Sequence, residues 1–368
     1  MSAQVILVES NPELAENIQN TLKKSADYVL AATYKTANAA LGQSRMFKPD
    51  LFLLNVDDEE TVNIIPAFSD LYPNAMIIGL MEHWRPGVTY VCMKGGAYGC
   101  ILKSFTIQDL TTAIELYKLR GKNAPSRVIA FFSPKGRAGR TTVASILAML
   151  IAEKSNEKVA LIDADLQFGD MPIFFDVEPK YTVVDAVQDI KLLNPLTLEP
   201  YFYKLTDKVF MLASPDRPEY AELVDPASLV EVVRMSCTLH RYVIIDLPAG
   251  FNPVSISLCD VAGTNVIMSM LNNAFDIVHM RRALEMFKTQ NRREKKIYTC
   301  FTRVDPCNEE ERARISHELG YPITDILPNE YQTISLANSG RLLKGLPRNT
   351  LLMQNISQLA DEVIGGRR

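Results

Sequence analysis

The chain has no C-x-x-C pair; its six cysteines, at 92, 100, 237, 259, 300 and 307, mostly lie within or beside apolar segments. Such usage reads as reduced, buried thiols in a cytosolic compartment. The four histidines (83, 240, 279, 317) are scattered, so neither a metal cluster nor a Ser-His-Asp triad has support. No apolar run approaches the roughly 18 residues of a membrane span, and the first residues carry no charged-apolar-small leader pattern. The expectation is a cytoplasmic chain that is neither exported nor membrane-spanning. An excess of one charge is missing as well. Lys and Arg total 39 against 43 Asp and Glu, a net of −4, which argues against bulk nucleic-acid binding, since that requires many phosphate contacts.

What is present is a 368-residue chain, 47% hydrophobic and 22% charged, long enough for two or three domains with their own cores. Residues 1–118 alternate strand-like and helix-like patterns. Val5–Val8, Leu51–Leu54, Met76–Ile78 and Cys100–Leu102 read as strands; Pro12–Lys24, a stretch ending before Tyr72 and Ile107–Lys118 read as helices; Gly95–Gly99 reads as a turn. Strands separated by helices imply a doubly wound parallel sheet. Over its full length this segment resembles a response-regulator receiver domain, through ILVES, KPDLFLLN and GGAYGCILKSFT. The resemblance implies a degenerate receiver. Glu9 is followed by Ser10 and Asn11, the phosphate-acceptor position is Asn55, the switch position falls at Leu80 or Met81, and only Lys103 is kept. An amide cannot form an acyl phosphate, and one carboxylate binds Mg²⁺ poorly. Asp57 and Asp58, two and three residues past the acceptor position, read as poor substitutes. The expectation is a pseudo-receiver kept for docking. Residues 119–127 (LRGKNAPSR) read as a linker, and a second α/β domain is expected over 128–368, without repeats or low-complexity segments.

That second domain opens on VIAFFSPKGRAGRTTVASILAM, Val128–Met149. An apolar strand, a loop with Gly136 and Gly139, the pair Thr141-Thr142 and a helical pattern together make an anion cradle, because loop and first-turn N–H groups lack intrahelical partners. The strict G-x-x-x-x-G-K-[ST] form fails twice, with Pro134 for its first Gly and Arg140 for its Lys. The plain alternative is an ordinary glycine turn before a helix. Two further apolar strands weigh against it. One ends in Asp163 and Asp165, which period-two geometry would put on one face; the other ends in Asp246. The carboxyl ends of parallel strands are where ligands collect.

These motifs, in this order, resemble the deviant phosphate loop and acidic strands of the ParA/MinD ATPases. KIYTCFTRVDP and ITDILPNEYQTISLANSGRLL look like that family's last strands, and QFGDMPIFFDVEP after the acidic strand, with a degenerate receiver in front, points to the TadZ/CpaE pilus-assembly group. The resemblance implies two doubly wound domains, receiver-like then P-loop, and ATP with Mg²⁺ as cofactors. Lys135, Gly136, Arg137, Ala138, Gly139, Arg140, Thr141 and Thr142 would hold the phosphates, with the Thr141 hydroxyl on Mg²⁺ and Asp163 and Asp246 holding its waters. Asp165 would orient the attacking water, and Lys135 would reach a partner's phosphates across a homodimer. Thr302, Pro328, Asn329 and Glu330 would face the adenine. Arg140 departs from the family: a planar, bidentate guanidinium replaces a compact ammonium, which implies ATP binding with weak or absent hydrolysis. The basic run Arg281-Arg282 through Lys295-Lys296 reads as a solvated helix rather than a DNA surface. The amphipathic stretch 351–364 is acidic at Asp361-Glu362, so direct lipid binding is not expected. The implied function is an ATP-stabilised hub for Tad-type pilus assembly. It would work with the secretion ATPase and inner-membrane platform proteins at the cell pole. A receiver-regulated signalling ATPase and a DNA-partitioning ATPase stand as alternatives.

Overall fold

Among the described residues of the computed structural model, thirteen strands form two separate sheets in which every pairing but one is parallel, which makes the chain an α/β protein of doubly wound design. The structure describes residues 2–120, 126–289, 295–304 and 308–365. Most of the expected linker, Arg292, Arg293, Glu294, Asp305, Cys307 and the last three residues lie outside these. Two compact units emerge: residues 1–125 with 191–197, and 126–190 with 198–368.

In the first unit, β1 (Ala3–Val8), β2 (Tyr28–Tyr34), β3 (Leu51–Asn55), β4 (Met76–Met81) and β5 (Gly99–Leu102) form a sheet in the order β2-β1-β3-β4-β5. Alternation of side chains splits its apolar residues between two cores. Val5, Leu7, Leu51, Leu53 and Ile78 pack with Ile18, Leu22 and Leu110 of flanking helices. Ile6, Val8, Phe52, Leu54 and Ile77 pack with Ile65 and Phe68 on the opposite face. Both faces are therefore covered, as a parallel sheet requires. The expected strands and helices are present with small shifts; the helix expected over 12–24 ends at Leu22, where Lys23 caps it. The sequence reading omitted β2 and the helices Ala37–Gln43 and Pro86–Lys94.

In the second unit, β6 (Arg127–Phe132), β7 (Val159–Asp163), β8 (Tyr203–Lys204), β9 (Val209–Leu212), β10 (Tyr242–Asp246), β11 (Thr264–Met270), β12 (Lys296–Val304) and β13 (Asp325–Pro328) stand in the order β13-β12-β11-β6-β10-β7-β9-β8. Among the described strands only β8, a two-residue edge strand, is antiparallel. The chain moves from β6 past β10 to β7, then returns to fill the gap, so connections diverge around β6 and β10. Crevices at such switch points receive ligands. Register brings Asp246 level with Phe131 on one side and Asp163 on the other, so the ends of these strands share one rim. The Arg140–Ser155 helix that follows β6 is buried along Val143, Ala144, Ile146, Leu147, Ala148 and Ile151, and closes the core with the Leu351–Gly365 helix. The five described cysteines are buried and unbridged, and no helix among the described residues is long and apolar enough to cross a membrane.

Candidate nucleotide site

The loop between β6 and the Arg140–Ser155 helix carries the chain through two left-handed residues, Arg137 (φ 66°) and Gly139 (φ 74°, ψ 21°). Gly139 is the helix N-cap and offers no side-chain acceptor, so the first-turn N–H groups stay open to an external anion. A cavity of ≈ 730 Å³ lies against this loop. It is lined by all seven residues from Gly136 to Thr142, by Asp165 and by Thr302, Pro328 and Asn329. Thr302 donates to the carbonyl of Ala138 at 3.0 Å, which pins the loop to β12. Lys135 is solvent-exposed; its carbonyl accepts from Ser133 Oγ at 2.5 Å. Lys135, Glu330, Asp163 and Asp246 do not line the cavity. Glu330 instead caps the Tyr331–Asn338 helix by accepting from the N–H groups of Gln332 and Thr333.

Asp246, 1% exposed, accepts from Thr141 Oγ1 at 2.5 Å. Its other oxygen, Oδ1, has no hydrogen-bond partner and faces Arg140 Nε at 3.7 Å. Burial pushes its carboxyl up to about 6, against the opposing pull of Arg140 and Thr141. Asp165 faces the same guanidinium, with Nη2 at 3.5 Å; burial raises its pKa too, and Arg140 again opposes.

The sequence expectation that Asp163 and Asp165 share a face needs correcting. β7 ends at Asp163, so alternation no longer governs Asp165, which sits in the following loop and reaches the cavity. Asp163 is fully buried and turned into the loop itself. It accepts from the N–H groups of Asp165 (3.2 Å) and Met171 (3.3 Å) and from Ser214 Oγ (3.2 Å). Burial and the neighbouring Asp246 hold its carboxyl well above the usual range.

Among the described residues, no three His, Cys, Asp or Glu side chains gather into a metal cage. The donors present suit Mg²⁺ of the other kind, which keeps its waters and takes one hydroxyl, carboxylate-held waters and substrate phosphates. Thr141 and the unpartnered Asp246 Oδ1 fit that set, with Arg140 already beside them. Sequence reasoning assigned nothing to Phe168, Asp170, Phe174 or Arg303, all of which line the cavity. The QFGDMPIFF run contained three of them, and the 73% exposure of Phe168 is visible only in three dimensions. Ser214, 49 residues after Asp165 in the chain, had no sequence signal at all.

In the first unit, Lys103 Nζ stands between Glu9 Oε2 (2.8 Å) and Asp57 Oδ2 (3.0 Å), and Arg85 binds Asp57 Oδ1 at 2.7 Å. Asn55 donates to Glu9 at 3.4 Å. Asp57 thus reaches Lys103 from two positions past Asn55.

Residues 129–343 match the family of CobQ/CobB/MinD/ParA nucleotide binding domains. The septum site-determining protein MinD of Thermotoga maritima is 25% identical over 250 residues, covering 65% of this chain and 88% of that protein. The iron-sulfur cluster carrier protein of Aquifex aeolicus is 28% identical over 167 residues, 45% of this chain and 44% of that protein. Among solved structures, a ParA family ATPase from Chlorobium tepidum superposes with a TM-score of 0.59 at 18% identity, over 65% of this chain and 98% of that one. MinD complexed with Mg-ADP from Pyrococcus horikoshii gives 0.55 at 21% identity, over 65% and 96%. At those identities the superpositions establish the fold.

Proposed function

Because the chain belongs to the family of CobQ/CobB/MinD/ParA nucleotide binding domains, we propose that its second unit binds ATP with Mg²⁺ and pairs two copies of the chain around the nucleotide. Turnover is slow or absent. The observation that carries this reading is the open helix N-terminus behind left-handed Gly139, facing a ≈ 730 Å³ cavity with Thr141 held on Asp246. The phosphates lie on the N–H groups of 136–142, Thr141 and Asp246 serve the ion, and Thr302, Pro328 and Asn329 bound the base end. Asp163 supports the acidic loop from beneath and holds the ion's waters only through it. Lys135, free in solvent, is the residue that reaches the partner's phosphates. Arg140 accounts for the slow chemistry, since a guanidinium engaged with Asp165 and Asp246 is poorly placed to follow charge developing on the transferred phosphate.

In this reading the first unit is a degenerate receiver used for docking, joined through the region around 119–127 to the nucleotide domain. The whole is a localisation hub of the TadZ/CpaE kind for Tad-type pilus assembly, recruited to the pole by pilus-assembly partners rather than by DNA or lipid. Sedimentation with and without ATP tests the pairing. The wild type should shift to a dimer with ATP and K135A should not; a wild type that stays monomeric at saturating ATP contradicts it. A receiver-regulated ATPase is the second reading, favoured by Asp57 lying 3.0 Å from Lys103. Labelling by acetyl phosphate, lost in D57N, would establish it, and absence of label closes it.

A further inference from the structure

Arg140 is the first residue of a phosphate-facing helix, yet its side chain turns toward carboxylates. It is 8% exposed. Its Nη2 lies 3.5 Å from Asp165 Oδ2 and its Nε 3.7 Å from Asp246 Oδ1. The third nitrogen, Nη1, is buried without a hydrogen-bond partner, in a residue that lines the nucleotide cavity. A guanidinium is a rigid fork that can serve acceptors along separate edges. Here two of its nitrogens face the two carboxylates, and the third is left without a partner.

This is the work a divalent ion does in a nucleotide site: a positive charge set between phosphate oxygens and carboxylates that hold its waters. Building on the nucleotide-binding reading above, we propose that Arg140 is the resident cation of the Asp165–Asp246 pair, so that the site takes up ATP whether or not Mg²⁺ joins it at Thr141 and Asp246. Two physical consequences follow. With the carboxylates already compensated by a fixed charge, Mg²⁺, which gives up water reluctantly, adds little to the affinity for ATP when it enters. Without Arg140, Asp165 and the fully buried Asp246 lose their counter-charge, a strongly destabilising change that an added cation relieves.

Calorimetric titration of the full chain with ATP, once in excess MgCl₂ and once in excess EDTA, tests the proposal. The wild-type Kd should agree between buffers within about threefold. R140K supplies a compact ammonium that cannot span both carboxylates; its Kd should weaken on the order of tenfold in EDTA and recover in MgCl₂. ATP heat from the wild type only in MgCl₂ overturns this assignment while leaving the nucleotide site standing. Absence of ATP heat in both buffers overturns the nucleotide reading and this assignment with it. Equal binding by R140K in both buffers removes Arg140 as the cause and also overturns it. Thermal melting without nucleotide gives an independent arm that needs no binding. The wild type should melt at one temperature in MgCl₂ and EDTA, whereas R140Q should melt lower in EDTA and recover in MgCl₂. A rise in wild-type melting temperature on adding MgCl₂ alone contradicts a site already filled by its own cation.

Discussion

Burial leaves the Asp246 carboxyl at about 6, so folding favours its protonated form. Its favourable contribution is complete below the unfolded value of about 4 and is lost as pH rises through about 6. D246N removes this titration, so its stability relative to the wild type should rise with pH between about 4 and 6, by about 1.4 kcal/mol per unit at most. Calorimetric melting across pH reads this directly. His240 acts with the opposite sign. It is 2% exposed, packed against the rings of Phe202 and Phe210, and its Nδ1 lies 3.2 Å from the Ser236 carbonyl. Burial pushes it down to about 3, so the stability tied to its neutral form is present above about 6.5 and is lost as pH falls toward 3. H240Q should flatten acid unfolding between about pH 6 and 4, by about 1.4 kcal/mol per unit at most, where D246N should steepen it. Asp246 was legible in the sequence because a carboxylate ending an apolar strand is a recognisable pattern. His240 was not, since its role depends on Phe202 and Phe210 arriving from elsewhere in the chain.

At the level of elements, the loop from Asp163 to Met171 is a clip rather than a simple turn. Asp163 gathers two N–H groups and the Ser214 hydroxyl, and Gly169 makes room for them: a Cβ there would stand 2.2 Å from Ser214 Oγ and 2.4 Å from Asp163 Oδ2. G169A should therefore destabilise the chain by roughly 1–3 kcal/mol, read as a lower urea midpoint, and weaken ATP binding by displacing Asp165. An unchanged midpoint would show that the clip gives way freely. Buried parallel strands were the easiest elements to read, because covered on both faces they appear as unbroken apolar runs such as Val243–Ile245 or Leu51–Leu54. The omitted ones lack that mark. β2 carries half-buried and exposed positions, the Ala37–Gln43 helix is short and built from small residues, and the Pro86–Lys94 helix contains Gly, Val and Thr, all weak helix formers. The misplacement of Asp163 and Asp165 on one face came from extending strand periodicity one turn beyond the strand's end.

Across the whole molecule, each sheet ends in a pair of carboxylates faced by a basic side chain of the same unit. Lys103 serves Glu9 and Asp57 in the first unit, and Arg140 serves Asp165 and Asp246 in the second. Both arrangements set a basic side chain between two carboxylates at the ends of parallel strands. The two-sheet architecture and the phosphate loop were legible because motif order along the chain maps onto strand ends. The pairing of Arg140 with Asp165 and Asp246 was not, since a sequence shows that Arg140 is present but not which carboxylates it turns toward. The central claim is ATP binding with little turnover. One sample measured for both ATP affinity and phosphate release in MgCl₂ tests it most directly. Saturable binding with phosphate release below about one turnover per minute, far under the median enzyme rate of roughly 10 per second, is the predicted result. Brisk release that D165A abolishes would contradict it.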